Sequence, residues 1–312
     1  MYIEEGYKGD IGLWKYFIIP LMFIGFMGLN YLATVTSPIS VEDAMQQMID
    51  QLGSNVVLII LLAPLAAGLF VVLGWTYLVH RQSITSLTTS RKKIDWRRIF
   101  YAFALWGGLT VLLTAIDIYL SPDDYVLNFN MSKFIPLAII AILLIPLQTS
   151  FEEYLFRGHM MQGLGILAKN RWVPLVVTSV LFGVMHIANP EVEKLGIGIM
   201  IYYIGTGFFL GILTLMDEGL ELALGFHAAN NLITALLVTA DWTAFQTDSI
   251  YRDVSEPVLG WDVLIPVFVI FPILLFIFGK KYGWKNWKEK LFGKVLTKEE
   301  FVALNESESN VA

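Results

Sequence analysis

The chain has 312 residues, of which 56% are hydrophobic and 15% charged, with a mean hydropathy of +0.64. A soluble domain carries about 25% charged residues, so the composition excludes an ordinary soluble enzyme and points to a polytopic membrane protein. Cysteine is absent, which removes disulfides, a cysteine nucleophile, Fe–S ligation and cysteine-containing zinc sites. The formal charge of −6 is spread over loops and both ends and implies no nucleic-acid partner.

The opening MYIEEGYKGDIGLWKYF places acids before the first apolar run. It has neither the basic start nor the small-residue cleavage site of a secretory signal, so it is expected to stay as an anchor. A span needs about 20 mostly apolar residues. Eight segments qualify as candidates: 15–35, 55–79, 99–120, 134–151, 172–189, 196–216, 221–240 and 261–279. The expected fold class is therefore all-α, a polytopic membrane helix bundle of about eight transmembrane helices. It divides into N-terminal helices with a basic loop (1–133), a helical core (134–240), and a last helix with a basic tail (241–312).

Between the first two spans, 36–54 reads as an amphipathic or looped connection. Segment 81–98 carries Arg81, Arg91, Lys92, Lys93, Arg97 and Arg98. The tail from Lys280, KKYGWKNWKEKLFGK, reads either as a basic amphipathic helix on an anionic leaflet or as a solvated tail. The final residues look disordered. With both termini and the 81–98 loop placed in the cytoplasm, 17 of the 21 Lys and Arg fall inside. Only Lys133, Lys194 and Arg252 fall outside, and Arg157 lies within a span motif. The positive-inside rule then predicts both ends cytoplasmic, in the cell's inner or plasma membrane. The sixth span is rich in glycine (Gly196, Gly198, Gly205, Gly207, Gly211), a pattern that allows close helix approach.

Ionisable residues inside spans are functional-site candidates, and three clusters occur on the fourth, fifth and seventh spans. The first is SFEEYLFRGHM, with Glu152, Glu153 and Arg157. Glu153 and Arg157 are four apart and pair on a helix. Glu152 lies about 100° round the helix, which leaves it available as a general base. Alone, the motif reads equally as a charged helix end. The second is Phe182 and His186 in SVLFGVMHIANP, where His186 is either a helix–helix hydrogen-bond partner or part of a site. The third is His227 and Asn231 in LALGFHAANNLITALL, which share a face and either pack against a neighbour or donate to an oxyanion; Asn230 points elsewhere. His186 and His227 are read as the two histidines inside spans, and the grouping of the three clusters favours one shared site. Other charges, Asp117 and Asp262, sit near span ends. There is no H-E-x-x-H, G-x-S-x-G, G-x-G-D or phosphate loop.

EEYLFR, FGVMH and HAANN in this order resemble the CPBP family, over roughly residues 134–240. That family contains type II CAAX prenyl proteases and bacterial Abi proteins linked to bacteriocin processing or self-immunity. The resemblance implies an all-helical intramembrane endopeptidase acting on a peptide or protein in or at the lipid bilayer. Carried over by position, Glu152 activates the attacking water, His186 holds and polarises it, and His227 and Asn231 form the oxyanion hole. Glu153, Arg157 and Phe182 support them. The family is often labelled as metalloproteases, and two histidines with a glutamate suit zinc in principle. Using His227 as a ligand leaves no obvious oxyanion donor, so the expected chemistry is a metal-free glutamate base with no cofactor. Two other functions remain open: a non-catalytic immunity or scaffold protein binding a peptide in the same cavity, and a proton-coupled transporter, for which no inverted repeat is evident.

A shared site carries a geometric demand. His186 stands deep in the expected fifth span, while Glu152 closes the fourth near the cytoplasm. The two meet only if span four continues past Glu152, or span five starts earlier or tilts. A wet cavity between the small residues of spans six and seven, a polar funnel open to the cytoplasm, is also expected.

Overall fold

The computed structural model describes residues 1–12 and 14–309. A short 3-10 turn over Ile3–Lys8 precedes α1 (Lys15–Thr36). There follow α2 (Val41–Leu52), α3 (Ser54–Leu78), α4 (Ile84–Thr88), α5 (Trp96–Leu120), α6 (Met131–Glu153) and α7 (Met161–Ala168). The second half holds α8 (Trp172–Val184), α9 (Pro190–Leu195), α10 (Met200–Asp217), α11 (Glu221–Leu237), α12 (Trp261–Ile265), α13 (Phe271–Tyr282), α14 (Trp287–Phe292) and α15 (Lys298–Ser309). Polar side chains start several helices by accepting their free N–H groups: Ser40 from Asp43, Ser83 from Ser86, Asp95 from Arg97 and Asn130 from Ser132. Left-handed residues end others, namely Lys169 after α7, Glu218 after α10 and Gly283 after α13.

Among the described residues, six helices are long and apolar enough to cross a membrane: 15–36, 54–78, 96–120, 131–168, 197–217 and 263–282. Their outer faces are greasy; α1 exposes Leu21, Met22, Phe26 and Leu29. The chain is an integral membrane protein, but the expected count of eight spans is not met by length. The fifth and seventh candidates are α8, with 13 residues, and α11, with 17. α11 is short because it is internal rather than lipid-facing: it packs against α5, α6 and α10.

The fourth span runs on. α6 passes through a π-helical turn, Tyr154–Met160, into α7, giving one helical rod from Met131 to Ala168. Glu152 and Glu153 therefore lie inside it, not at its end. His159 also lies inside this rod, while His186 lies in the turn after α8, so the expected pair of span histidines is corrected. The fifth span stops at Val184 and residues 185–189 turn, with Pro190 keeping Asn189 out of the helical region and opening α9.

The core is aromatic. Phe209 stacks on Phe271 with centroids 4.5 Å apart, and Trp106 on Phe226 at 4.6 Å. Small residues let the backbones approach: a Cβ on Gly207 would come within 2.4 Å of the Ser179 carbonyl oxygen. Gly205, Gly207 and Gly211 thus serve close helix contacts. A cavity of about 410 Å³ lies at the end of the bundle away from the 81–98 loop, lined by Gln46, Asn55, Lys133, Asp241 and Arg252 among others. That end also carries a small sheet not expected from the sequence, ordered β1 (Tyr125–Leu127), β3 (Tyr251–Asp253), β2 (Val238–Thr239). β1 pairs antiparallel to β3, with Val126 opposite Arg252, and β2 runs parallel to β3.

The basic end is tied together by ion pairs. Asp217 is held by Arg91 at 2.9 Å and by Arg98, and Glu221 by Arg91 at 3.1 Å. The N-terminal acids fold inward, with Glu4 paired to Arg171 at 2.8 Å. The tail, largely exposed, forms the short helix α14 and is tied to the bundle at two points. Trp284 Nε1 donates to Asp217 at 3.0 Å, and Lys290 Nζ lies 3.0 Å from Glu218. The segment expected to be disordered is helical to Ser309; residues 310–312 lie outside the described residues, as does the side chain of Asp262.

Candidate active site

The hairpin of α6–α7 and α8 resolves the demand that the sequence raised. Glu152 precedes the end of the rod at Ala168, and His186 follows the start of α8 at Trp172, by nearly equal lengths of chain. At about 1.5 Å per residue, both stand roughly 21–24 Å from the turn that joins them. Extending the fourth span brings the two motifs to one level, well inside the rod rather than at its end.

The two adjacent glutamates have different surroundings. Glu153 has no exposed side-chain surface, nor has Arg157, whose Nη1 lies 3.0 Å from Glu153 Oε1. Arg157 Nη2 donates to the Gly207 carbonyl at 3.0 Å, and its guanidinium sits 4.3 Å over the Phe182 ring. The same Glu153 oxygen accepts from His227 Nδ1 at 2.8 Å. Glu152 keeps 11% of its side chain exposed and lies 3.5 Å from His227 Nε2. His227 thus stands between the carboxylates although α11, which carries it, comes much later in the chain.

This cluster is neutral in either of two proton arrangements. An imidazolium at His227 with Arg157 balances two carboxylates. A neutral His227 with a protonated Glu152 leaves Arg157 and Glu153 to balance each other. One proton moved between His227 Nε2 and Glu152 interconverts them, so a proton can pass between these two groups without leaving a buried net charge.

Gln148, which belongs to none of the three sequence clusters, completes the Glu152 side. Its Nε2 donates to Glu152 Oε1 at 2.8 Å, and its Oε1 accepts from Asn231 Nδ2 at 3.4 Å. The available signal is a lone amide in an apolar run, one helical turn before Glu152 and on its face. Asn230 does not point elsewhere: its Nδ2 donates to Asn231 Oδ1 at 3.1 Å.

His186 approaches from the turn after α8. Its Nδ1 lies 2.8 Å from the Phe182 carbonyl. A carbonyl only accepts, so Nδ1 carries the proton and the neutral ring presents Nε2 as an acceptor. The ring stacks on Tyr203 at 4.5 Å and 18°, a contact not anticipated. Phe182 bridges the site, its ring 5.0 Å from His186 and 5.7 Å from His227. The structure brings Glu152, Glu153, Arg157, His227, Asn231 and Gln148 into one hydrogen-bonded cluster, and the Phe182 ring contacts both His227 and His186.

Among the described residues no three His, Asp or Glu side chains are arranged to hold a metal ion. Glu153 is shared between Arg157 and His227 Nδ1, and no step is routed through a metal.

The family model described as type II CAAX prenyl endopeptidase Rce1-like matches residues 131–233, the segment that supplies this cluster. An uncharacterised protein of Bacillus subtilis (strain 168), YyaK, is 32% identical over 239 residues, covering 74% of this chain and 80% of that protein. No solved structure matches. The motifs, the helical membrane fold and these matches agree: the chain belongs to the Rce1-like type II CAAX prenyl endopeptidases, a family of intramembrane proteases.

Proposed function

We propose that this protein cleaves a peptide bond in a membrane-embedded or lipid-proximal segment with Glu152 as the base. The observation that carries the reading is the inequality of the glutamates: Glu153 is sealed and committed to Arg157 and His227, whereas Glu152 is partly open beside His227 and Gln148. Glu152 takes one proton of water, and His186 Nε2 accepts a hydrogen bond from the other. The hydroxide adds to the scissile carbonyl carbon, and its oxygen gains the negative charge. Asn231 Nδ2 and His227 Nε2, as imidazolium, donate to that oxygen. Glu152 then returns its proton to the leaving nitrogen as the C–N bond breaks. The substrate is a peptide or protein at the membrane, and both termini with the 81–98 loop face the cytoplasm.

The test is cleavage by purified protein in detergent, using quenched peptides that include lipidated and apolar C-terminal sequences. Wild type is run beside Glu152→Ala, each with and without chelator. Cleavage lost in the variant and kept with chelator is expected. Loss with chelator and recovery with zinc would overturn the metal-free mechanism. Equal cleavage by both proteins would remove Glu152 from it. No cleavage by either, across the whole set, favours a binding-only protein.

A further inference from the structure

A chain of side-chain hydrogen bonds enters the site from α5. Trp106 Nε1 donates to Asn230 Oδ1 at 3.1 Å, and Asn230 Nδ2 donates to Asn231 Oδ1 at 3.1 Å. Asn231 Nδ2 donates to Gln148 Oε1 at 3.4 Å, and Gln148 Nε2 donates to Glu152 Oε1 at 2.8 Å. Four of these five residues lie within the matched family segment; Trp106 does not.

The two ends of a carboxamide are alike in shape and opposite in polarity. Packing alone therefore does not set which end of Asn230, Asn231 or Gln148 faces its neighbour. In a row of amides, each orientation dictates the next, so the terminal groups decide. At one end an ionised Glu152 only accepts. That constraint disappears once Glu152 carries a proton, because a carboxylic acid both donates and accepts. At the other end the indole N–H only donates, at every stage. The Tyr202 hydroxyl also lies beside Asn230, but a hydroxyl adapts to either orientation. The indole itself cannot swing away: it is 6% exposed and stacked on Phe226.

We propose that Trp106 is a positioning residue whose indole N–H locks the polarity of the Asn230–Asn231–Gln148 row. The lock keeps an Asn231 N–H turned to the site while Glu152 holds the proton taken from water. That is the stage at which the substrate oxygen is negative and an inverted amide would present its own oxygen to it. The inference rests on the reading of Asn231 as an oxyanion donor.

Trp106→Phe keeps an aromatic ring against Phe226 and removes the donor together with one ring's volume, which Asn230→Ala leaves in place. Loss of a direct oxyanion donor costs about 10²–10³ in kcat; loss of the lock leaves the donor in place part of the time and is expected to lower kcat by about tenfold. KM is expected to stay within about twofold, since substrate binding precedes the charged stage. Asn231→Ala is expected to fall further, and adding Trp106→Phe to it should cost nothing more. Asn230→Ala breaks the same link from the other side and should match Trp106→Phe, which keeps the test intact if the tryptophan variant folds poorly. A wild-type kcat in Trp106→Phe and Asn230→Ala overturns the lock. So does an effect confined to KM, or a tenfold loss that persists undiminished in the Asn231→Ala background. In each of those cases a defective Asn231→Ala leaves the proposed mechanism standing. If Asn231→Ala cleaves like wild type, the mechanism and the lock fall together.

Discussion

Neutralising each glutamate of the adjacent pair in turn should give opposite phenotypes. Glu153 and Arg157 are both fully buried and 3.0 Å apart. Removing one partner of a buried pair typically costs about 3–5 kcal/mol, because the other charge is left without compensation. In Glu153→Gln the guanidinium keeps the Gly207 carbonyl but loses its carboxylate. At roughly 2–4 °C per kcal/mol for a chain of a few hundred residues, melting should fall by about 10 °C. Glu152→Gln differs. Its carboxamide oxygen still accepts from Gln148, and Glu153, Arg157 and a neutral His227 remain balanced, so stability should change by no more than about 1 kcal/mol. Activity, in contrast, should vanish. The assay is thermal unfolding of the two variants in one detergent, beside cleavage. Arg157→Met should melt like Glu153→Gln, and the double variant should recover part of the loss. Equal melting of Glu152→Gln and Glu153→Gln would refute the assignment of a structural role to one glutamate and a chemical role to the other.

Gly207→Ala should destabilise by about 1–3 kcal/mol through overpacking, since its methyl meets the Ser179 carbonyl and parts α10 from α8; unfolding in detergent reads this directly, and an unchanged melting point contradicts the close approach. Arg171→Met should release the N-terminal segment by breaking its 2.8 Å pair with Glu4, seen as faster proteolysis within residues 1–12 and a loss of about 3 kcal/mol. Unchanged proteolysis would show that the apolar contacts of Ile3 suffice. The cysteine-free sequence suits single-cysteine labelling. Lys92→Cys should react with an impermeant reagent only from the cytoplasm and Lys194→Cys only from outside, and the reverse pattern overturns the proposed orientation.

What could be read from the sequence was local. The i, i+4 spacing of Glu153 and Arg157 foretells their pairing, and the offset of Glu152 round the helix foretells its separate surroundings. Hydropathy fails at the same place, because it treats Glu152 as a span end while the pairing lets the helix continue to Ala168. That extension also brings Glu152 level with His186. The position of His227 between both carboxylates depends on contacts between segments distant in the chain, which no spacing rule reaches. Asn230 escapes for the same reason: its partner is Trp106 on α5, 124 residues away. The inward fold of the N-terminus is hidden because Glu4 resembles a solvated acid until Arg171 is set beside it.

α8 has a further consequence for the surrounding lipid. Its outward stripe, Trp172, Val176 and Val180, is apolar and 36–48% exposed, so hydrocarbon chains lie against it. A helix of 13 residues is about 20 Å long, against a bilayer core of about 30 Å. Lipid meeting so short a wall is expected to thin, which draws headgroups and their water inwards. The dip forms where the helix ends, at the turn that carries His186. Where the bilayer thins against α8, hydrophobic mismatch is expected to bring water towards the turn that carries His186.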